Sequence, residues 1–194
     1  MKSLKYMAAA FSGAFMHLTF LVIFLVIQLN TMAVFNVFSV TLYIIMGANC
    51  KKDSFEKHAL AWIRSMYFEI SIHAFLCTLF LGADTCFFLY TMMTIPVVLY
   101  YLFLTCSNNI FKRWTIIFTL MSIALLSAGL LINYLSTPVY YTTRRELTRC
   151  EIDLMRAVNV VFNLILLFGF SCLFILEIHS LIKKLNSTND RLNF

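Results

Sequence analysis

Residues 7–48 read MAAAFSGAFMHLTFLVIFLVIQLNTMAVFNVFSVTLYIIMGA, an apolar run broken once by a tight polar step at Gln28, Asn30 and Thr31. A helix crosses a hydrocarbon core of roughly 30 Å in about 20 residues. The run is too long for one crossing and fits two, over residues 7–29 and 31–48. Its first half exceeds the apolar core of a secretory signal and passes directly into the second, so it reads as an uncleaved anchor. The same pattern returns over residues 60–81, 85–104, 114–135 and 157–178, joined mostly by short loops. The expected fold is therefore all-α: a polytopic bundle of six transmembrane helices over residues 1–178, then a cytoplasmic helix over residues 179–194.

Composition agrees with this reading. The chain is 61% hydrophobic and 12% charged, whereas charged residues make up about 25% of a soluble domain. No internal repeat, low-complexity tract or flexible linker divides the membrane part, which reads as one domain. With both termini in the cytoplasm, the inner segments carry Lys2, Lys5, Lys51, Lys52, Lys57, Arg64, Lys112, Arg113, Lys183, Lys184 and Arg191. The outer segments carry Arg144, Arg145, Arg149 and Arg156, which is the bias expected of cytoplasmic loops. The net charge of +6 thus reflects topology and attraction to an anionic bilayer, and no nucleic-acid partner is expected.

Ionisable side chains inside a span are costly and are functional-site candidates by default. The third span carries Arg64 near its cytoplasmic end, then Glu69 and His73, which share a helix face at i, i+4. His17 in the first span lies at a depth close to Glu69, so His17, Glu69 and His73 are expected to converge. Two outcomes fit: a polar pocket for a small ligand or a proton, or a pair that satisfies itself and fixes helix register. Two histidines and one glutamate are a thin ligand set, so no metal and no cofactor is expected. Asp84, at the outer turn beside Gly82, is expected to cap the fourth span, and it also stands where an external ligand would arrive. Asn36 and Asn163 read as interhelical hydrogen-bond glue, Glu177 and His179 as interfacial groups solvated by headgroups, and Pro96 as a kink in the fourth span.

Catalytic motifs are missing. The five glycines are too scattered to cradle a phosphate, and there is no nucleophile elbow, zincin helix or paired-carboxylate cluster, so no catalytic residue is assigned. The six cysteines show no CxxC spacing. Cys86 and Cys150 are the pair that would meet on the outer face, and no bridge is expected. Residues 136–156 form one long outer loop whose alternating charges suggest a short surface helix or an arginine lid over an anionic ligand. At the other end, Ile178, Leu181, Leu185, Thr188 and Leu192 are spaced 3, 4, 3, 4, the seam of a two-stranded coiled coil.

Three stretches together, NVFSVTLYII, EISIHAFLCTLFLGADTCFFLY and FGFSCLFILEIHSLIKKLNSTNDRLNF, resemble the six-helix membrane input domains that precede bacterial GGDEF diguanylate cyclases. The resemblance implies a sensor in the bacterial inner membrane, homodimeric along residues 178–194, that passes a signal to a cyclase making cyclic-di-GMP. No position matches the cyclase's own catalytic motif, so this chain is expected to be no enzyme itself. A rival expectation from another class is a small six-helix transporter or proton-conducting protein that uses Glu69, His73 and His17.

Overall fold

The computed structural model describes residues 2–50, 54–140 and 146–192, with side chains described for all but residues 2–4, 54, 56, 57 and 189–192. The described residues are mostly helical, without strands. Six α-helices follow one another: α1 (Lys2–Val26), α2 (Asn30–Asn49), α3 (Ser54–Leu81), α4 (Leu89–Thr105), α5 (Asn108–Leu135) and α6 (Arg149–Leu192), with a 3-10 turn at Ala83–Thr85 between α3 and α4. Four are long and apolar enough to cross a membrane, over Lys5–Val26, Asn30–Asn49, Asn108–Leu135 and Arg149–Thr188. Of the other two, α4 is apolar but has 17 residues, and α3 carries Arg64, Glu69 and His73 within 28 residues.

Successive helices alternate in direction, as their end contacts show. At one end, the Tyr6 ring lies 5.0 Å from Phe55 and 4.9 Å from Tyr101, Arg64 stacks 4.0 Å over Trp114, and Lys5 pairs with Glu177. The start of α1, the starts of α3 and α5, the end of α4 and residue 177 of α6 therefore share one end of the bundle. At the opposite end the Tyr140 hydroxyl donates to the Ile27 carbonyl at 2.6 Å, and Asn133 Nδ2 to that of Thr78 at 2.9 Å. Asn159 Nδ2 likewise donates to the Thr85 carbonyl at 2.6 Å.

The bundle buries polar groups and turns large apolar side chains outward. His17, Asn36, Glu69, Ser71 and His73 are buried, whereas Phe15, Phe38, Leu120 and Phe168 are each more than 60% exposed. A water-soluble fold sorts its residues the other way. Two apolar clusters fill the interior, one around Tyr6, Met46, Ile63, Tyr101 and Phe118, the other around Phe20, Phe24, Met32, Leu81 and Phe87. The buried polar residues of α1, α2 and α3 fall between them.

Three expectations need correction here. Asp84 does not cap α4: it lies in the 3-10 turn, Cys86 follows at φ 64°, and α4 starts at Leu89 behind Phe88, with no side-chain cap. The Asp84 carbonyl instead accepts from Arg156 Nε at 2.9 Å. Of the surface helix expected within residues 136–156, residues 149–156 are the first turns of α6 itself; residues 139–140 are helical, and 141–145 lie outside the described residues. Thr148 and Glu151 form a reciprocal capping box, Thr148 N to Glu151 Oε2 at 2.8 Å and Glu151 N to Thr148 Oγ1 at 3.3 Å, and this box starts the helix eight residues before the expected span. Asp153 and Arg156 do pair, at 3.2 Å; Arg144 and Arg145 of the suggested lid lie outside the described residues. Finally, Glu177 is not merely solvated, since it holds Lys5. All six cysteines are free.

The turn after α3 depends on one glycine. Gly82 has φ 89° and ψ 159°, a region open essentially to glycine alone, and a Cβ there would lie 3.1 Å from Pro138 Cγ. Gly82→Ala is expected to destabilise the fold by about 1–3 kcal/mol, read as a lower unfolding midpoint in detergent; an unchanged midpoint contradicts the assigned backbone.

Candidate functional site

The buried polar residues form one connected network, and a single backbone carbonyl fixes its wiring. Asn36 Nδ2 donates to the Met32 carbonyl at 2.8 Å, which only accepts, so the orientation of the Asn36 amide is set. Its Oδ1 therefore faces His17 Nδ1 at 2.9 Å, and that nitrogen carries a hydrogen. The second Asn36 amide hydrogen points at His73 Nε2, 3.2 Å away, so this nitrogen accepts. Cys77 Sγ approaches the same nitrogen at 3.6 Å.

With Nδ1 of His17 committed to Asn36, its Nε2 meets Glu69 Oε2 at 3.3 Å. One proton must lie between these two atoms, because a bare nitrogen facing a bare carboxylate is repulsive. Ser39 Oγ donates to Glu69 Oε1 at 2.6 Å, and the Tyr43 hydroxyl donates to Oε2 at 2.9 Å. Three donors converging on one carboxyl group suit its anionic form, with His17 as the imidazolium. The close approach of Tyr43 relies on Gly13, where a Cβ would lie 2.8 Å from the tyrosine ring.

The three expected residues His17, Glu69 and His73 are thus brought together, with one ligating atom from each inside a 4.8 Å cluster. Glu69 and His73, however, do not bond each other directly; Asn36 of α2 stands between the two histidines. His73 is otherwise sheathed in aromatic rings, stacked on Phe35 at 5.2 Å with Phe24 at 6.3 Å and Phe87 at 6.4 Å. Arg64 and Asp84 are not part of the group. Arg64 is the cation over Trp114 at one end of the bundle, and Asp84 is in the turn at the other.

Sequence reasoning undervalued α2. Asn36, Ser39 and Tyr43 repeat at 3 and 4 residues and so share one helix face, a stripe that pairs with the glutamate of α3. Asn159 was also missed, although it ties α6 to the 3-10 turn.

Beside the network lies a cavity of about 410 Å³. Its α1 wall is one helix face, Lys5, Ala8, Ser12, Met16, His17 and Phe20 among its residues, and Ile70, Val97 and Phe170 close it from α3, α4 and α6. His17, His73 and Tyr43 reach its deep end and Lys5 its other end. Apolar side chains make nearly all of the surface between. Compared with known protein families, curated proteins and solved structures, the chain matches none.

A buried ion pair that loses one partner leaves an uncompensated charge, at a cost of about 3–5 kcal/mol. Glu69→Ala and His17→Ala are each expected to destabilise by that order, and the double variant by clearly less than their sum. Unfolding in detergent by increasing denaturant measures all three. Strict additivity shows that the two side chains do not interact.

Proposed function

We infer that this chain is a membrane-embedded sensory domain of six crossings, in which a ligand biases the packing around the central cavity and α6 carries the change out of the bilayer. The observation that supports it best is that one unbroken helix does both jobs. Within α6, Leu166, Gly169 and Phe170 line the cavity, while Ile178, Leu181 and Leu185 are exposed on the part that extends beyond it. Thr188 is exposed too, and the side chain of Leu192 lies outside those described. With 44 residues, α6 is about 66 Å long, roughly twice a hydrocarbon core.

Two features favour counting α3 and α4 as crossings as well. Glu69, Ser71, His73 and Thr78 of α3 face inward, so the Glu69 and His73 side chains lower its hydropathy without meeting lipid. α4 is packed between α3, α5 and α6 and leaves few groups for the lipid to meet. The end of the bundle that holds Lys5, Arg64, Lys112 and Arg113 is then the cytoplasmic one, in accord with the bias of basic residues. On this reading the seam pairs two copies of the chain in the cytoplasm and hands motion to an output domain. The resemblance to cyclase input domains names that output as a diguanylate cyclase. A shift or rotation of the paired helices would alter the spacing of whatever they carry.

Dimer contact along this face is open to a direct test. Leu185→Cys, on the seam, is expected to give a disulfide-linked dimer under mild oxidation in native membranes, and Lys183→Cys, on the opposite face, far less. Equal yields at the two positions, or none at Leu185, would remove the paired seam from the account.

A further inference from the structure

We propose that the cavity holds an amphiphile with one long aliphatic chain and an anionic head, and that the head takes Lys5 away from Glu177. The inference deepens the sensory reading above and rests on it, since it names the ligand class and the contact through which that ligand acts on α6.

Shape selects the chain. The lining residues of α1 run from Lys5 to Phe20, about 22 Å along the helix, so the cavity is a long slot and not a compact chamber. One extended aliphatic chain can follow this slot from end to end. Small residues, Ala8, Ala9, Ser12 and Gly169, make the room. At Gly169 an added Cβ would meet nothing within 4 Å, so the space there is open and not filled by a neighbour.

Charge selects the head. Moving a hydrocarbon tail from bilayer to cavity gains little, because lipid is as apolar as the walls. Discrimination must come from the polar end. At the deep end most of the polar atoms of His17, Asn36 and Glu69 are already engaged with one another, which leaves Lys5 at the other end as the cation within reach. Its ammonium is held by Glu177 and lies 5.7 Å from the Tyr100 ring. The first turn of α1 adds the positive end of its helix dipole. A carboxylate or phosphate arriving there competes with Glu177 for the same cation. Glu177 immediately precedes Ile178, the first residue of the seam, and its side chain is 26% exposed, so it can exchange Lys5 for water. An occupied cavity would thus untie α6 from α1 where the part of α6 beyond the cavity begins.

The test uses the full chain, delipidated and placed in nanodiscs of zwitterionic phosphatidylcholine, with a spin-labelled stearate as the bound probe. Palmitate and lysophosphatidic acid are expected to displace it, and hexadecanol, of the same chain type without charge, at least tenfold less well. Lys5→Gln is expected to weaken palmitate at least tenfold and to leave hexadecanol unchanged. Gly169→Leu should abolish probe binding while keeping the unfolding midpoint, because it fills open space and replaces a helix glycine. Hexadecanol as potent as palmitate, or undiminished binding in Gly169→Leu, overturns the proposal. Repeating the displacement with phosphatidylglycerol discs separates the two sources: loss of probe there assigns the site to the bilayer's own anionic lipid, and retention assigns it to a free acyl chain, each in keeping with the proposed chemistry. Crosslinking at Leu185 in the same samples is the separate readout. Palmitate should change its yield in the parent chain and not in Lys5→Gln; binding without any change keeps the site and rejects the coupling, whereas a Leu185 dimer without binding keeps the sensory seam and rejects the ligand class.

Discussion

The contact between His17 and Glu69 sets the terms for the rest of the bundle. Two charges withdrawn from water into a medium of low dielectric are tolerated only when their remaining hydrogen-bonding capacity is also met. Glu69 meets it with Ser39 and Tyr43, and His17 with Asn36. All three of these partners come from α2, so α1, α2 and α3 have one mutual register in which every group is served. A one-residue slip of α2 would turn the stripe away from Glu69 and strand the carboxylate. This is a reason for α1 and α2 to pack as a close hairpin, with Gly13 admitting the Tyr43 ring, and for the apolar cluster on either side to be continuous across all the helices it touches.

The cavity follows from the same constraint. Small residues on α1 draw it towards α2, and on the side that faces α6 they leave a gap that no large side chain fills. α1 and α6 meet through ring contacts of Phe162 with Phe15 and Phe20, at 6.4 and 6.1 Å, and through the Lys5 to Glu177 pair. Between these points the two helices are walls of a shared space. The packing that is tight around the network is therefore loose along α6, the element whose movement would be felt outside the bundle.

Much of this was legible in the sequence. Six helices, four of them long and apolar enough to cross a membrane, and the meeting of His17, Glu69 and His73 at one depth follow from helix rise and from the cost of buried charge. What was not legible depended on contacts between distant residues. Asn36 reads as generic glue in isolation; its role as the junction between two histidines requires knowing which face of α2 meets α3. The pairing of Glu177 with Lys5 joins residues from near the two ends of the chain, and no local pattern announces it. The start of α6 is a different case. Thr148 and Glu151 carry a recognisable capping box, but its signal was hidden within a run of charged residues that also fitted an external loop. Asp84 misled for the converse reason: an aspartate before an apolar run suggests a cap, while Cys86 in a left-handed conformation postpones the helix to Leu89.

Whether the network conducts or holds still is decided by what surrounds it. A proton or substrate relay needs acceptors and donors in sequence from the centre to both surfaces. Among the described residues, the polar atoms of Asn36, Ser39, Tyr43 and Glu69 turn towards one another, and the walls beyond them are Phe20, Phe24 and Phe87 on one side and Met66, Ile70 and Val97 on the other. Along the cavity from His17 to Lys5 the hydroxyls of Ser12, Thr94 and Tyr101 stand apart among alanine, glycine, methionine and valine, and those of Thr94 and Tyr101 already donate to the Tyr90 and Lys5 carbonyls. A closed set of hydrogen bonds inside apolar walls resists passage, yet it remains sensitive to the separation of the helices that supply it. Those properties suit a packing that a ligand biases and a helix reports better than they suit a pathway.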